Sequence, residues 1–198
     1  MEIETAPYHH GNLRSGLLDL AERALEESGV AGLSLRGLAR ELGVSHSAPR
    51  QHFADKQALL DALVLRGLRR LGDELDEGLR RATGGFEERL AAFARAYVGF
   101  ATRSPALLAL MFARKDDPAC PDLRQASERT FAAPVALIEK AMARGEIVGT
   151  EPDRTAMAVL AMLQGLASII TAGMIADRSP DAVVAGTVHS LVAGLLPR

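Results

Sequence analysis

Apolar residues recur at helical spacing along nearly the whole chain, and Gly, Pro and capping residues cut the pattern into short-jointed pieces. Leu13, Leu17, Leu20, Ala21, Ala24 and Leu25 form the first stripe, predicted to start behind Asn12 as cap and to stop at Ser28–Gly29. Ser34 caps a very short second helix carrying Leu35, Leu38, Ala39 and Leu42, with Leu33 placed to pack on Leu38, and Gly43 ends it. Ser45 caps a third helix, His46 to Phe53, and Asp55 a long fourth from Lys56 to about Ala82. Gly84–Gly85 is a loop, followed by a fifth helix from Phe86 to Thr102. Ser104–Pro105 starts a sixth helix as cap and first residue, and residues from Asp116 to Pro121 form a loop. The seventh runs from about Pro121 to Arg144 with a kink expected at Pro134, the eighth from Pro152 to Ala176, and the ninth from Pro180 to Leu196 behind Ser179.

Composition agrees with this pattern. Aromatic residues make up 4% of the 198 residues and Trp is absent, which disfavours a β-sandwich or barrel, so the expected fold is all-α with about nine helices. The net charge of −2 excludes a protein that holds nucleic acid through bulk positive charge; any polyanion contact must be local. A single cysteine, Cys120, forms no internal disulfide, and residues 1–12 show no basic stretch leading into an apolar run. The expected compartment is the cytoplasm.

Leu33 to Leu60 has the spacing of a helix-turn-helix: a short helix, a tight Gly-containing turn, a second short helix, then a capped long one. Leu38, Leu42, Val44 and Phe53 have packing roles against the first helix. The residues left over are Ser45, His46, Ser47, Arg50, Gln51 and His52, a dense set of donors and acceptors on a helix too short to be stable alone. From Ser34 to Lys56 four cations (Arg36, Arg40, Arg50, Lys56) face two anions (Glu41, Asp55), so 4 − 2 leaves +2 in a chain of negative total. Lys56 opposes the dipole of the helix it opens, and a phosphate bound at that N-terminus would reconcile the two.

The segments YHHGNLRSGLLDLAERALEESG at 8–29 and LSLRGLARELGVSHSAPRQHFADKQALLDAL at 33–63 resemble the DNA-binding domain of TetR-family transcriptional regulators. The likeness covers residues 8–66, and its most specific parts are the Gly-Val-Ser turn, the His52–Phe53 pair and Lys56. It implies a helix-turn-helix domain over 8–56 and an effector-binding and dimerisation domain over 57–198. It further implies base-edge contacts by His46, Ser47 and Arg50, with Gln51 and His52 in the same set, and phosphate contacts by Ser34, Ser45, Lys56 and Arg36. Pro49 stands where the family usually has Leu, and Arg50 where it usually has Tyr. Arg50 either reads a guanine edge through paired bonds to O6 and N7 or grips a phosphate.

The same resemblance implies a homodimer on a palindromic double-stranded operator, and a small-molecule effector held among the fourth to eighth helices. Helix five carries Phe86, Phe93, Tyr97 and Phe100 at offsets of 7, 4 and 3, one face of a helix. Phe93, Tyr97, Phe100, Met111, Phe131, Met162, Leu163, Gln164 and Leu166 are the candidate lining residues, suited to an apolar or aromatic effector. The stretch from Thr155 to Ala176 has no charged residue and meets the length test for a membrane span. Its small residues and central Gln164 favour pairing of the last two helices with their copies in a second subunit, as the family does, over a membrane hairpin.

No cofactor or metal is expected, since Asp116, Asp117, Cys120 and Asp122 form a polar loop without histidine, and His9 and His10 are solvated tail residues. His189, set among apolar residues, is expected in a core or interface. The competing classes are a helical small-molecule enzyme, which lacks a convergent nucleophile, base or metal set, and a membrane-associated helical protein.

Overall fold

The computed structural model describes residues 10–114, 120–148 and 151–196, and every element among them is helical. In chain order these are α1 (His10–Gly32), α2 (Leu35–Glu41), a 3-10 turn (Ala48–Gln51), α3 (Lys56–Arg81), α4 (Phe86–Arg103), α5 (Pro105–Arg114), α6 (Pro121–Ala143), α7 (Pro152–Thr171) and α8 (Pro180–Ala193). The chain divides into two compact units. The first runs to Gly67 and includes the segment Ala106–Leu123; the second comprises Leu68–Pro105 and Arg124–Arg198.

In the first unit α1 begins at His10, ahead of Asn12, and its regular part ends at Gly29, whose φ of +66 breaks the helix. The buried stripe Leu17, Leu20, Ala21 and Leu25 meets Leu38, Ala39 and Phe53 from the next elements. Ser34 caps α2 by accepting the Gly37 N–H at 3.0 Å. At the other end Gly43, at φ +68, lets Val44 N–H reach back to the Ala39 carbonyl (3.0 Å) and Gly43 N–H to Arg40 (3.2 Å), closing the last turn.

The expected third α-helix, His46 to Phe53, is instead the 3-10 turn. Pro49 has no N–H to donate back to Ser45, so the α-helical ladder cannot start there. Shorter bonds replace it: Ala48 N–H to Ser45, Arg50 N–H to Ser47 and His52 N–H to Pro49, all at 3.0–3.1 Å. Asp55 caps α3 through the Ala58 N–H at 2.8 Å.

Helix α5 belongs to the first unit and is tied at both ends. Ser104 is not its cap, since its hydroxyl receives the Arg70 guanidinium at 3.0 Å. The free N–H groups of Ala106 and Leu107 go to the two oxygens of Glu26 on α1, at 3.0 and 3.1 Å. A carboxylate serves both donors and complements the helix dipole, which a single hydroxyl cannot. At the far end Arg114 pairs with Asp61 of α3 at 2.5 Å. Arg66 of α3 joins Asp19 and Glu22 of α1, at 2.5 and 2.6 Å.

In the second unit α4 packs against α7 and α8, which also touch each other. The aromatic stripe Phe86, Phe93, Tyr97 and Phe100 is buried throughout. Helix α7 stops at Thr171, short of the expected Ala176, because Gly173 at φ +68 allows Met174 N–H to close on the Ile169 carbonyl at 3.0 Å. Helix α8 ends at Ala193, short of Leu196, and the Leu195 carbonyl takes the Val148 N–H at 2.7 Å. His189 is not in the core: its side chain is 69% exposed and its Nδ1 lies 3.0 Å from Glu87 Oε1. The readings placed on His9, His10, Asp116 and Asp117 fall outside the described side chains.

Candidate nucleic-acid interface and ligand cavity

The segment between α2 and α3 sorts its side chains sharply. Pro49 and Phe53 are buried and anchor the turn, with the Arg14 guanidinium 5.2 Å from the Phe53 ring centre. Ser45, His46, Ser47, Arg50 and Gln51 are exposed, as are Ser34 and Arg36 at the start of α2. Ser45 and Ser47 hydroxyls lie 3.2 Å apart, and Ser34, though it accepts from Gly37, keeps its own proton as a donor.

Two members of the expected set are not simply exposed. The Lys56 ammonium donates to the Val30 carbonyl at 2.6 Å, satisfying a backbone group just past the break in α1. His52 is half-buried, and its Nε2 is enclosed without a hydrogen-bond partner. Exposed donors and acceptors therefore concentrate at Ser45, His46, Ser47, Arg50 and Gln51, with Ser34 and Arg36 exposed at the start of α2. That chemistry matches phosphate oxygens and base edges.

The second unit holds a cavity of about 290 Å³ between α4, α6 and α7. Four expected residues line it: Phe93, Tyr97, Phe131 and Leu163. Five others do not. Phe100 is buried with the Arg70 guanidinium 5.0 Å from its ring centre. Met111 lies in the first unit, packed so closely on Gly67 that a methyl group there would come within 2.8 Å of its sulfur. Met162 and Leu166 line a separate groove with Ile169, Ile175 and Val183. Gln164 is outside the lining and accepts the Tyr97 hydroxyl proton at 3.0 Å. Burial raises the Tyr97 phenol far above its ordinary pKa, so this donor stays protonated.

Pro134 and Val135 of α6, and Asp153, Ala156, Met157, Val159 and Leu160 of α7, complete the lining. Their spacing was a usable signal: Asp153, Ala156, Met157, Leu160 and Leu163 share one helical face, as do Phe131, Pro134 and Val135. Of the expected α7 residues, Leu163 lies on this face, whereas Met162 and Leu166 lie on the neighbouring one. Among the described residues no three His, Cys, Asp or Glu side chains gather as a metal site.

A family described as bacterial regulatory proteins, tetR family, matches residues 17–63, and one described as tetracyclin repressor-like, C-terminal domain, matches residues 90–192. A solved protein of unknown function from Rhodococcus sp. RHA1 is 41% identical, with 98% of this chain and 100% of that one covered and a TM-score of 0.88. A bacterial regulatory protein in the tetR family from Rhodococcus RHA1 shares the fold at 17% identity and a TM-score of 0.77, covering 94% of this chain and 98% of its own. An HTH-type transcriptional regulator of Mycobacterium bovis is 32% identical over 101 residues, which is 50% of this chain but only 43% of that relative's length. With both halves matched in order, and the second match alone covering more than half of its residues, the chain belongs to the tetR family of bacterial regulatory proteins.

Proposed function

We propose that the protein is a homodimeric, sequence-specific DNA-binding transcriptional regulator. It acts as a repressor that leaves a palindromic operator when a small apolar or aromatic molecule fills the cavity beside Phe93 and Tyr97. The observation that carries the DNA reading is the sorting of residues 45–53. Pro49 and Phe53 do the packing, while Ser45, His46, Ser47, Arg50 and Gln51 have no packing role and face solvent. His46, Ser47, Arg50 and Gln51 take base edges; Ser34, Arg36, Ser45 and Lys56 take phosphates, Lys56 with the two N–H groups not given to Val30. Buried Pro49 fixes the backbone from which the exposed Arg50 projects, and a guanidinium reaching a guanine edge from there would make paired bonds to O6 and N7.

Dimerisation through α7 and α8 is supported by what those helices leave uncovered. Helix α7 is long and apolar enough to cross a membrane, yet only 28% of its most apolar window is buried within one chain. Met157, Ala161 and Ile169 on α7, and Ala182, Ala185, Gly186 and Ala193 on α8, are exposed. Small residues allow two such helix pairs to approach closely, and reading a palindrome requires two-fold-related recognition turns about 34 Å apart, one turn of DNA. The ligand acts only if it favours a dimer whose recognition turns no longer match successive major grooves; equal affinity for both states shifts nothing.

Selection of bound duplexes from a random pool tests this reading. A shared palindrome with half-sites one helical turn apart is the expected outcome, with affinity falling steeply with salt. Fragments without a common palindrome would refute sequence-specific regulation.

A further inference from the structure

Taking the cavity of the second unit as the effector site, we infer that its effector is a lipophilic monocation: an aromatic or compact alkyl amine or quaternary ammonium, preferred over a neutral or anionic molecule of the same shape. Asp153 is the one charged residue among the eleven that line the cavity, and none of them is Lys, Arg or His. Asp153 stands in the first turn of α7, exposed at the solvent end of the cavity, and makes no hydrogen bond or ion pair with the described residues. The lining also carries three aromatic rings, Phe93 and Tyr97 buried and Phe131 half-buried. Ring faces attract a cation within about 6 Å of the centroid. The Tyr97 proton, the lone hydroxyl donor of the lining, is given to Gln164, so nothing in the wall donates to an anion.

A carboxylate or sulfonate ligand would thus meet Asp153 with no compensating cation. A monocation meets both a carboxylate and aromatic rings. Because the carboxylate is at the exposed end, the bound cation keeps part of its hydration and escapes the full cost of burying a charge. At protein packing density of about 0.75, a void of about 290 Å³ holds roughly ten to fifteen heavy atoms, the size of a substituted benzene.

Three molecules of matched shape test the class on the full chain: phenyltrimethylammonium, its neutral isostere tert-butylbenzene, and benzenesulfonate. Each is titrated while the Met157 methyl signal, at the cavity wall, is followed by NMR. The ammonium should bind about five- to tenfold more tightly than the neutral isostere, with the sulfonate weakest. Asp153→Asn should bring the ammonium to within about twofold of the neutral molecule, and Ala156→Trp, which fills the cavity, should abolish binding of all three. Neutral binding equal to that of the ammonium overturns the class while leaving the cavity as a ligand site, and an ammonium advantage undiminished by Asp153→Asn overturns the part assigned to Asp153 and leaves the preference to the rings. No binding of any of the three, or binding untouched by Ala156→Trp, overturns the cavity reading itself, and the class with it.

Discussion

Lys56 has two roles whose separation can be measured. Its ammonium donates to the Val30 carbonyl at 2.6 Å, yet its place at the start of α3 is where a phosphate contact is proposed. Lys56→Met keeps the aliphatic stem and removes the charge. Loss of a charge-assisted bond at a half-exposed site, where solvent screens it, should cost about 1 kcal/mol, below the range for buried bonds of this kind. In a chain of this length that is a fall in Tm of about 2–4 °C. The DNA effect has a different signature. One of the three ammonium protons is held by Val30, leaving two for a phosphate. One phosphate per half-site makes two per dimer, so the slope of log K against log salt should flatten by about 2 × 0.9, or roughly 1.8. Across a roughly fourfold rise in salt, the deficit of the variant relative to the parent should therefore shrink about tenfold. Fluorescence anisotropy of the selected operator at several salt concentrations, beside thermal unfolding of the free protein, reads both quantities. A lowered Tm with an unchanged salt slope would show the ammonium staying on Val30 and refute the phosphate contact; an unchanged Tm would refute the structural role.

Other predictions are independent of Lys56. Glu26→Ala leaves the α5 N–H groups of Ala106 and Leu107 uncapped and should cost about 1–2 kcal/mol, read by thermal unfolding; Glu26→Gln, which keeps one acceptor, should recover part of it. Arg50→Tyr should change the preferred base at one position per half-site in a repeated duplex selection, while an unchanged consensus with uniformly weaker binding assigns Arg50 to phosphate. Ala161→Glu puts a charge on the exposed face of α7 and should give a monomer in sedimentation equilibrium with operator binding lost; a dimer that persists moves the interface elsewhere. Tyr97 keeps its proton in the folded state where the unfolded phenol ionises near pH 10, so its contribution is intact below about pH 10 and is lost as pH rises above it. Tyr97→Phe should flatten that alkaline fall in unfolding free energy.

Local signals survived the passage from sequence to structure. Ser34 with Gly37, Asp55 with Ala58, and Ser179 with Ala182 are caps whose two partners lie three residues apart, so the pattern that predicts them also builds them. The cap of α5 was not readable, because Glu26 lies 80 residues before the N–H it accepts, and Ser104–Pro105 offered a plausible local substitute. The recognition segment failed for a different reason. Its polar spacing fits an α-helix or a 3-10 turn equally well, and the deciding fact is one missing N–H at Pro49. In the cavity, the aromatic stripe located Phe93 and Tyr97 because four buried rings on one helix leave a periodic trace. The α6 and α7 walls were harder, since apolar residues on α7 occupy several faces and only packing selects the face of Asp153 and Leu163 over that of Met162 and Leu166.

The charge balance gives the proposed interface its character. Each subunit brings +2 over Ser34 to Lys56 on a chain of net −2, so a dimer carries +4 at its two recognition turns against −4 overall. Such a body gains little from the sequence-independent attraction that holds strongly basic proteins on any duplex. Lys56 sharpens this, because its charge is anchored to the backbone of α1 by Val30 and cannot sweep freely for phosphates. With non-specific affinity kept low, occupancy of an operator over the surrounding DNA has to come from the base-edge set. In that set Arg50 alone carries a fixed positive charge, and it follows directly on a buried proline. A well-aligned guanidinium on guanine discriminates by about 1–3 kcal/mol per site, and two half-sites double it. Pro49 and Arg50, where the family usually has Leu and Tyr, thus put a 3-10 turn and a fixed positive charge together at the position on which the proposed reading places the protein's selectivity.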